Sequence, residues 1–137
     1  MTQERTLAII KPDAVRAHYS GPIIELAEQN GFTIIHMEKR TLSQEEVIEF
    51  YIMHKERSFF KELVDFMTSG PVVLLLLERE NAITAWRDLM GATNPAQATV
   101  GTLRYMFGTD VGCNATHGSD SPESAERETN FFFPCHC

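Results

Sequence analysis

The sequence predicts an α+β sandwich in which helices pack on a four-stranded sheet. Strand and helix signals follow one another in the order β-α-β-α-α-β-α-β-α, and the strand signals are short. Such an order is typical of helices layered on a sheet rather than of a Rossmann fold. The 137 residues suit one domain with a substantial core, spanning residues 1–137, and leave little room for a second domain.

Four segments predict the strands. Residues 4–11 are a short apolar run closed by Pro12, which is typical of a strand buried on both faces. Residues 32–40 alternate in character, and residues 72–77 are continuously apolar. The fourth strand is expected over residues 113–117, with Cys113 as a small buried hydrophobe.

Helix signals fill the intervals between these strands. Gly21-Pro22 opens a helix that Asn30-Gly31 ends, and Ser43-Gln44-Glu45-Glu46 is a capping box. The capped helix is expected to carry on one face Val47, Phe50, Tyr51 and His54. Further helices are predicted over residues 59–68, 81–90 and 122–130, with a long polar loop at 91–101 and a short helix or turn at 103–107.

The composition limits the class of protein. Hydrophobic residues make up 43% and charged residues 23% of the chain, which is ordinary for a globular domain. The net charge of −7 and the lack of a basic run disfavour nucleic acid as a partner. The longest apolar run, residues 71–77, is too short to span a bilayer, and no N-terminal targeting signal is visible. We therefore expect a cytoplasmic protein with no membrane partner.

The C-terminal tripeptide Cys135-His136-Cys137 contains residue types that bind metals. A fourth ligand is missing from the segment, and a structural metal site usually has four. Because chain ends commonly fray, the tripeptide is expected to be a reduced, disordered tail.

The most informative segment is residues 114–121, which surrounds His117 with small and polar residues. Gly118 removes side-chain bulk beside the imidazole, so a large polar group could approach the ring. Ser121-Pro122-Glu123 is typical of a helix start, and a helix N-terminus favours anions. Since a neutral imidazole is a good nucleophile near neutral pH, the segment predicts that His117 accepts a phosphoryl or acyl group. A surface histidine in a polar turn is the alternative.

Segments along the whole chain together match the pattern of one known family. The most specific match is His117-Gly118-Ser119-Asp120-Ser121 followed by Glu128, and Lys11-Pro12-Asp13 adds independent weight. The other matching stretches are residues 4–14, Phe50-Tyr51 with His54, and residues 59–71, 89–95, 101–104 and 114–128. On these residues the chain resembles the nucleoside diphosphate kinase family. That resemblance implies a ferredoxin-like βαββαβ fold with a four-stranded antiparallel sheet.

The resemblance also implies a reaction. The family transfers the γ-phosphate of a nucleoside triphosphate to a nucleoside diphosphate, in two half-reactions through a phosphohistidine. His117 matches the nucleophile, Glu128 and Ser119 match the pair that orients its ring, and Tyr51 matches the phenol beside it. A nucleotide-binding regulatory or scaffold protein without turnover is the alternative, and the complete set of matching residues favours turnover.

Substrate contacts follow from the same resemblance. The matching residues are Lys11, Arg87, Thr93 and Arg104 for the phosphates, His54 near the α-phosphate, Asn114 and Lys11 for the sugar, and Phe59 and Val111 for the two walls of the base site. Magnesium is expected to be held mainly by the substrate phosphates, with no direct protein ligand. From the residues alone, Arg87 and Arg104 could equally be solvated surface arginines. Lys11 is less ambiguous, because a lysine that closes an apolar strand is costly unless it faces a polar cleft.

Departures from the family pattern fall outside the matched site residues. They are Ser58, Val100 and Tyr105-Met106, which stand where the family commonly has other residue types. Because none of them is a matched site residue, they are expected to affect subunit contacts and stability rather than the chemistry. The resemblance implies a homo-oligomer built from dimers. The chain lacks the longer C-terminal extension of many hexameric members, so tetramer and hexamer both stay open.

Overall fold

The computed structural model describes residues 3–134, and its centre is a four-stranded sheet. The strands are β1 (Gln3–Ile10), β2 (Thr33–Arg40), β3 (Val72–Glu80) and β4 (Thr116–Gly118), and they lie in the order β2-β3-β1-β4. Every neighbouring pair is antiparallel. This topology confirms the predicted ferredoxin-like α+β fold.

Helices connect the strands and cover both faces of the sheet. They are α1 (Pro12–Arg16), α2 (Ser20–Gln29), α3 (Gln44–Phe50), α4 (Phe60–Met67), α5 (Ala82–Met90), α6 (Leu103–Phe107) and α7 (Pro122–Phe132), with 3₁₀ turns at Ile52–His54 and Pro95–Gln97. Within residues 3–134, none of these helices is long and apolar enough to cross a membrane.

Two helix starts form as the sequence predicts. The Ser43 hydroxyl accepts from the Glu46 backbone N–H at 3.1 Å, and the Ser43 N–H donates to the Glu46 carboxylate at 3.0 Å, which confirms the capping box. At the start of α7 the Ser121 hydroxyl accepts from the Ser124 N–H at 3.1 Å, with Pro122 in the first turn. The second cap sets where α7 begins, with three residues between it and the end of β4.

The β1 strand is buried on both faces, as predicted from its continuous apolar run. Its residues Leu7 and Ile9 belong to a cluster with side chains of α3, α4 and α7, whereas Ala8 and Ile10 belong to a cluster with side chains of α2 and α5. Each of the four side chains is fully buried. The strand therefore lies at the centre of the molecule, and residues that hydrogen-bond to it are held rigidly.

The region before β4 differs from its prediction. Strand β4 begins at Thr116 rather than at residue 113, so the prediction that Cys113 lies in a buried strand is wrong. The Asp110 carboxylate accepts from the N–H groups of Gly112 and Cys113, each at 2.9 Å, and so folds this segment into a turn. Cys113 is half-buried and lies in a loop.

Two helix predictions also need correction. The α3 helix ends at Phe50, and His54 lies in the following 3₁₀ turn, where its N–H donates to the Tyr51 carbonyl at 2.8 Å. Tight turns of this kind are frequent at helix ends. Directly after β1 the chain forms α1, which the sequence reasoning missed because it treated Pro12 only as a strand terminator, although proline also starts helices. The tripeptide Cys135-His136-Cys137 lies outside the described residues.

Candidate active site

His117 lies on the short edge strand β4, where it pairs with Ile9 of β1. Its Nε2 lies 2.9 Å from Oε1 of Glu128 on α7. The Ser119 hydroxyl donates to the same carboxylate oxygen at 2.9 Å and accepts from the Leu7 N–H at 3.3 Å. Glu128 and Ser119 are both buried. Because Ser119 bonds to Leu7 of β1 and to Glu128, the carboxylate that orients the ring is linked to the central strand. A carboxylate that accepts from Nε2–H leaves the imidazole lone pair on Nδ1.

Gly118 is required by packing against Trp86. A Cβ atom at position 118 would overlap Trp86 Cδ1 and come within 2.8 Å of Met90 Cε. The Trp86 indole N–H donates to the His117 carbonyl at 3.1 Å, and the indole is fully buried. The space that a side chain at position 118 would take is filled by the indole from α5, which supports the histidine backbone, while Gly118 itself borders the cleft beside His117.

The backbone turns sharply two residues before His117. Ala115 has φ of +76°, and the Thr116 N–H donates to the Asn114 carbonyl at 2.9 Å, which together describe a γ-turn. A positive φ is uncommon for alanine. The turn is held by the Lys11 N–H, which donates to the Ala115 carbonyl at 2.8 Å, and by Asp13, whose carboxylate accepts from the Ala115 N–H at 3.1 Å. The end of β1 and the start of α1 thus determine where Asn114 and His117 lie.

Lys11, Asn114 and Thr93 come together although they are far apart in the chain. The Lys11 ammonium donates to the Asn114 side-chain oxygen at 2.9 Å, and the Asn114 amide donates to the Thr93 carbonyl at 3.0 Å. Burial, together with the nearby positive charge of Arg104, lowers the pKa of Lys11 to about 8. A partly desolvated ammonium beside an amide is suited to binding an anion with adjoining hydroxyl groups.

The two arginines predicted as phosphate ligands border one cleft with His117. Arg104 on α6 is only 8% exposed, so the alternative of a solvated surface arginine is wrong for this residue. Its guanidinium donates to the carbonyls of Gly91 at 3.1 Å and Thr116 at 2.9 Å. Burial lowers the pKa of Arg104 to about 10, with a contribution from Arg87, so it remains a cation at neutral pH. Arg87 extends from α5 with an exposed side chain.

A cleft of about 200 Å³ collects most of the predicted polar residues. Its lining includes Tyr51, His54, Arg87, Arg104 and His117. The Tyr51 ring centroid lies 6.2 Å from that of His117 and 6.4 Å from that of His54. Burial and the negative charge of Glu128 raise the pKa of Tyr51, which keeps the phenol protonated and able to donate a hydrogen bond. The cleft is therefore cationic, with a neutral phenol beside the imidazole.

A second, more apolar cavity of about 490 Å³ is lined by Lys11, Phe59, Val111 and Cys113. Phe59 is 44% exposed and Val111 is 56% exposed, so these two side chains are not part of the core. The Phe59 ring lies 6.1 Å from the His54 ring, and His54 borders the cationic cleft. A side chain of each cavity thus lies beside the other, so an elongated molecule could place an apolar end between Phe59 and Val111 and an anionic end at His117.

Comparison with known proteins decides the family. The family model described as nucleoside diphosphate kinase matches residues 4–136. The chain belongs to the nucleoside diphosphate kinase family. It is 53% identical over 133 residues to the nucleoside diphosphate kinase of Persephonella marina, covering 97% of this chain and 95% of the relative. It is 55% identical over 130 residues to that of Pelobacter propionicus, covering 95% of each.

Solved structures of nucleoside diphosphate kinases have the same fold. The Aquifex aeolicus enzyme superposes with a TM-score of 0.94 at 46% identity, over 96% of each chain. The Halobacterium salinarum enzyme, solved in complex with CDP, superposes with a TM-score of 0.93 at 37% identity, over 96% of this chain and 88% of that chain. The present chain is accordingly a phosphotransferase that moves the γ-phosphate of a nucleoside triphosphate to a nucleoside diphosphate.

Sequence reasoning missed three residues that this kinase places at or beside the cleft. Arg127 and Asp120 both line it, and Arg127 lies 3.6 Å from the Glu128 carboxylate. Asp13 does not line the cleft but holds the turn before His117. The signals were present, because Asp13 and Asp120 belong to the matching motifs and Arg127 adjoins Glu128, but adjacency in sequence does not show which side chains share a cleft.

Proposed function

We propose that His117 is the residue of this kinase that becomes phosphorylated, through its Nδ1 atom. The observation that carries the proposal is the 2.9 Å contact between Nε2 and Glu128 in a cleft that also holds Arg87 and Arg104. Nδ1 attacks the γ-phosphorus as the bond to the β-phosphate oxygen breaks, and the nucleoside diphosphate leaves. The imidazole keeps its Nε2 proton, and Glu128 stabilises the positive charge that develops on the ring. The second half-reaction reverses these steps with another diphosphate.

The remaining predicted residues are proposed to bind the nucleotide. Arg87 and Arg104 neutralise the transferring phosphates, because they border the cleft beside His117. Lys11, Asn114 and Thr93, joined by hydrogen bonds, are proposed to bind the sugar and phosphate oxygens. Tyr51 is proposed to lie beside the His117 ring during the reaction, and His54 is proposed to lie near the α-phosphate. These assignments extend the nucleotide from His117 towards the apolar cavity.

The base is proposed to lie between Phe59 and Val111. Both side chains are exposed walls of the apolar cavity, and Lys11 lies at its border. Aromatic and aliphatic walls bind a base through its faces and leave the edge groups unread. The enzyme should therefore accept purine and pyrimidine nucleotides of either sugar.

Magnesium is proposed to enter bound to the substrate phosphates. Among residues 3–134 there is no cluster of three or more acidic, histidine or cysteine side chains placed to hold a metal ion. Asp120 and Glu128 both border the cleft, and because Glu128 contacts His117 and Ser119, Asp120 is proposed to contact the ion's water shell. The ion would supply charge neutralisation on the phosphates, alongside the two arginines.

The kinase is proposed to act as one catalytic domain that assembles into a homo-oligomer of dimers. The β2 strand is an edge strand of the described sheet, and its Met37 is 51% exposed. Two further large side chains are exposed, Val100 in the loop before α6 with 75% exposure and Tyr105 on α6 with 50% exposure. Exposed edges and apolar patches of this kind favour self-association. Light scattering at micromolar concentration distinguishes a monomer, which would contradict the proposal, from a tetramer or hexamer.

The proposed nucleophile is tested by labelling. The protein is incubated with γ-labelled ATP, and the expected product is an acid-labile, base-stable phosphoprotein that GDP discharges. Peptide mapping should place the label on His117, and His117→Ala should remove it. A stable label on another residue would refute the assignment. Nucleotide binding without any label would favour the alternative, a binding or scaffold protein that does not turn over.

A further inference from the structure

The turn before His117 depends on one carboxylate that lines neither cavity of the proposed nucleotide site. Asp13 lies in the first turn of α1, and its Oδ2 accepts from the Ala115 N–H at 3.1 Å, across a separation of 102 residues. Ala115 is fully buried and has φ of +76°. An alanine adopts such a backbone conformation only where its surroundings require it.

Two hydrogen bonds hold the backbone of Ala115, one at its carbonyl and one at its N–H. The Lys11 N–H donates to the Ala115 carbonyl at 2.8 Å, and Asp13 accepts from the Ala115 N–H. The first bond joins two backbone groups, so it does not depend on the side chain at residue 13. The second bond exists only because residue 13 carries an acceptor.

We propose that Asp13 is a positioning residue for phosphoryl transfer: its carboxylate imposes the γ-turn at Ala115 that aims Asn114 and His117 at the same nucleotide. Without the acceptor, Ala115 relaxes to a negative φ, and the peptide planes on both sides of it rotate. Asn114 precedes this residue directly and His117 follows it by two positions, so both move relative to Lys11 and Glu128. The inference rests on the proposed role of His117 as the nucleophile.

Two simpler roles for Asp13 make different predictions. If Asp13 only stabilised α1 as an acidic residue of its first turn, its loss would lower stability without a specific effect on the reaction rate. If it only tuned the charge of Lys11, which it approaches closely enough to raise the Lys11 pKa, any neutral replacement would act alike. Asp13→Asn keeps an acceptor and loses the charge, whereas Asp13→Ala loses both.

The experiment measures the rate of phosphohistidine formation from γ-labelled ATP, at saturating and at low nucleotide, in four variants. Asp13→Ala should lower the saturating rate by about a hundredfold, because small displacements of reacting groups have effects of that size. Asp13→Asn should remain within about tenfold of the native enzyme, since a neutral acceptor makes a weaker bond of the same geometry. Ala115→Gly in the Asp13→Ala background should recover at least about tenfold, because glycine adopts positive φ without cost. Asp65→Ala, which removes an exposed carboxylate paired with Lys61, is the matched control.

Hydrogen exchange of the Ala115 amide supplies a readout that does not depend on activity. The amide should exchange slowly in the native protein and in Asp13→Asn, and rapidly in Asp13→Ala. Equal rate losses in the two Asp13 variants, or no recovery in the double variant, would overturn the proposal. If Asp13→Ala does not fold, rapid exchange of the Ala115 amide in the native protein or in Asp13→Asn would overturn it equally. Labelling of native His117 in the same assay separates these failures from a failure of the proposed nucleophile.

Discussion

Replacing Gly118 with alanine tests how closely the histidine strand is packed on α5. The added methyl group would overlap Trp86 Cδ1 and lie 2.8 Å from Met90 Cε and 2.9 Å from Trp86 Nε1. Both neighbours are fully buried, so neither can swing into solvent to make room. Either the indole moves and its hydrogen bond to the His117 carbonyl breaks, or β4 moves away from α5. Both responses displace the proposed nucleophile.

The expected cost follows from overpacking and from the lost hydrogen bond. Forcing a methyl group into a well-packed core costs about 1–3 kcal/mol, and losing a buried hydrogen bond adds about 1 kcal/mol. At roughly 4 °C per kcal/mol for a chain of this size, the melting temperature of Gly118→Ala should fall by about 8–16 °C. The rate of phosphohistidine formation should fall at the same time, by about tenfold or more, because His117 shifts relative to Glu128.

Thermal melts at one fixed protein concentration measure the first effect, since assembly makes the melting temperature concentration-dependent. The matched control is Gly21→Ala, because a Cβ atom at Gly21 meets nothing within 4 Å. Gly21 lies in the first turn of α2, so that substitution should leave the melting temperature unchanged or raise it slightly. If Gly118→Ala melts and reacts like the native enzyme, the packing argument for Gly118 is wrong.

Three further outcomes are expected. His117→Ala should abolish phosphotransfer while nucleotide binding and the fold persist, and turnover near the native rate would exclude His117 as nucleophile. Burial lowers the pKa of Lys11 to about 8 from its usual 10.5, so kcat/KM should fall as the pH rises through about 8 and the ammonium is lost. Lys11→Arg should flatten that fall. An unchanged pH profile in this variant would show that another group titrates. Phe59→Ala should weaken binding of all nucleotides, purines most, and a preference above about a thousandfold for one base would reveal an edge-reading group.

The pKa of Lys11 also has a consequence for stability, with a definite sign. Its folded-state pKa lies below the unfolded value, so between about pH 8 and 10.5 the unfolded chain binds more protons than the folded one. Stability therefore rises with pH across this window as far as Lys11 is concerned. Below about pH 8 the buried ammonium costs free energy in full, which is the penalty of keeping a cation at the nucleotide site.

The parts of the structure that could be predicted from the sequence depend on local spacing. The apolar run of β1, the capping box at Ser43 and the helix start at Ser121 are contained within a few residues each, and all three formed. The proposed site residues came from motif resemblance, and the structure brings His117, Glu128 and Ser119 into contact. Helix and strand propensities alone do not indicate such contacts.

The parts that could not be predicted depend on residues distant in the chain. Nothing about an alanine signals a positive φ, and Ala115 adopts one because Lys11 and Asp13 hold its peptide. Gly118 suggested open space because the sequence does not show that Trp86 packs there. In both cases the deciding contact joins segments that are separated by more than thirty residues.

Strand β1 orders the segment that carries His117, although the edge strand β4 is short. The strand contacts the histidine segment at three levels: its Leu7 N–H donates to Ser119, its Ile9 pairs with His117, and the Lys11 N–H that follows it donates to Ala115. β4 contains only three residues and could not order this segment by its own ladder. Because β1 is buried on both faces, these three contacts tie the histidine segment to a part of the molecule that the core holds in place. Arg104 is held near Lys11 by its hydrogen bonds to the Gly91 and Thr116 carbonyls, so these two cations lie close together although they repel each other.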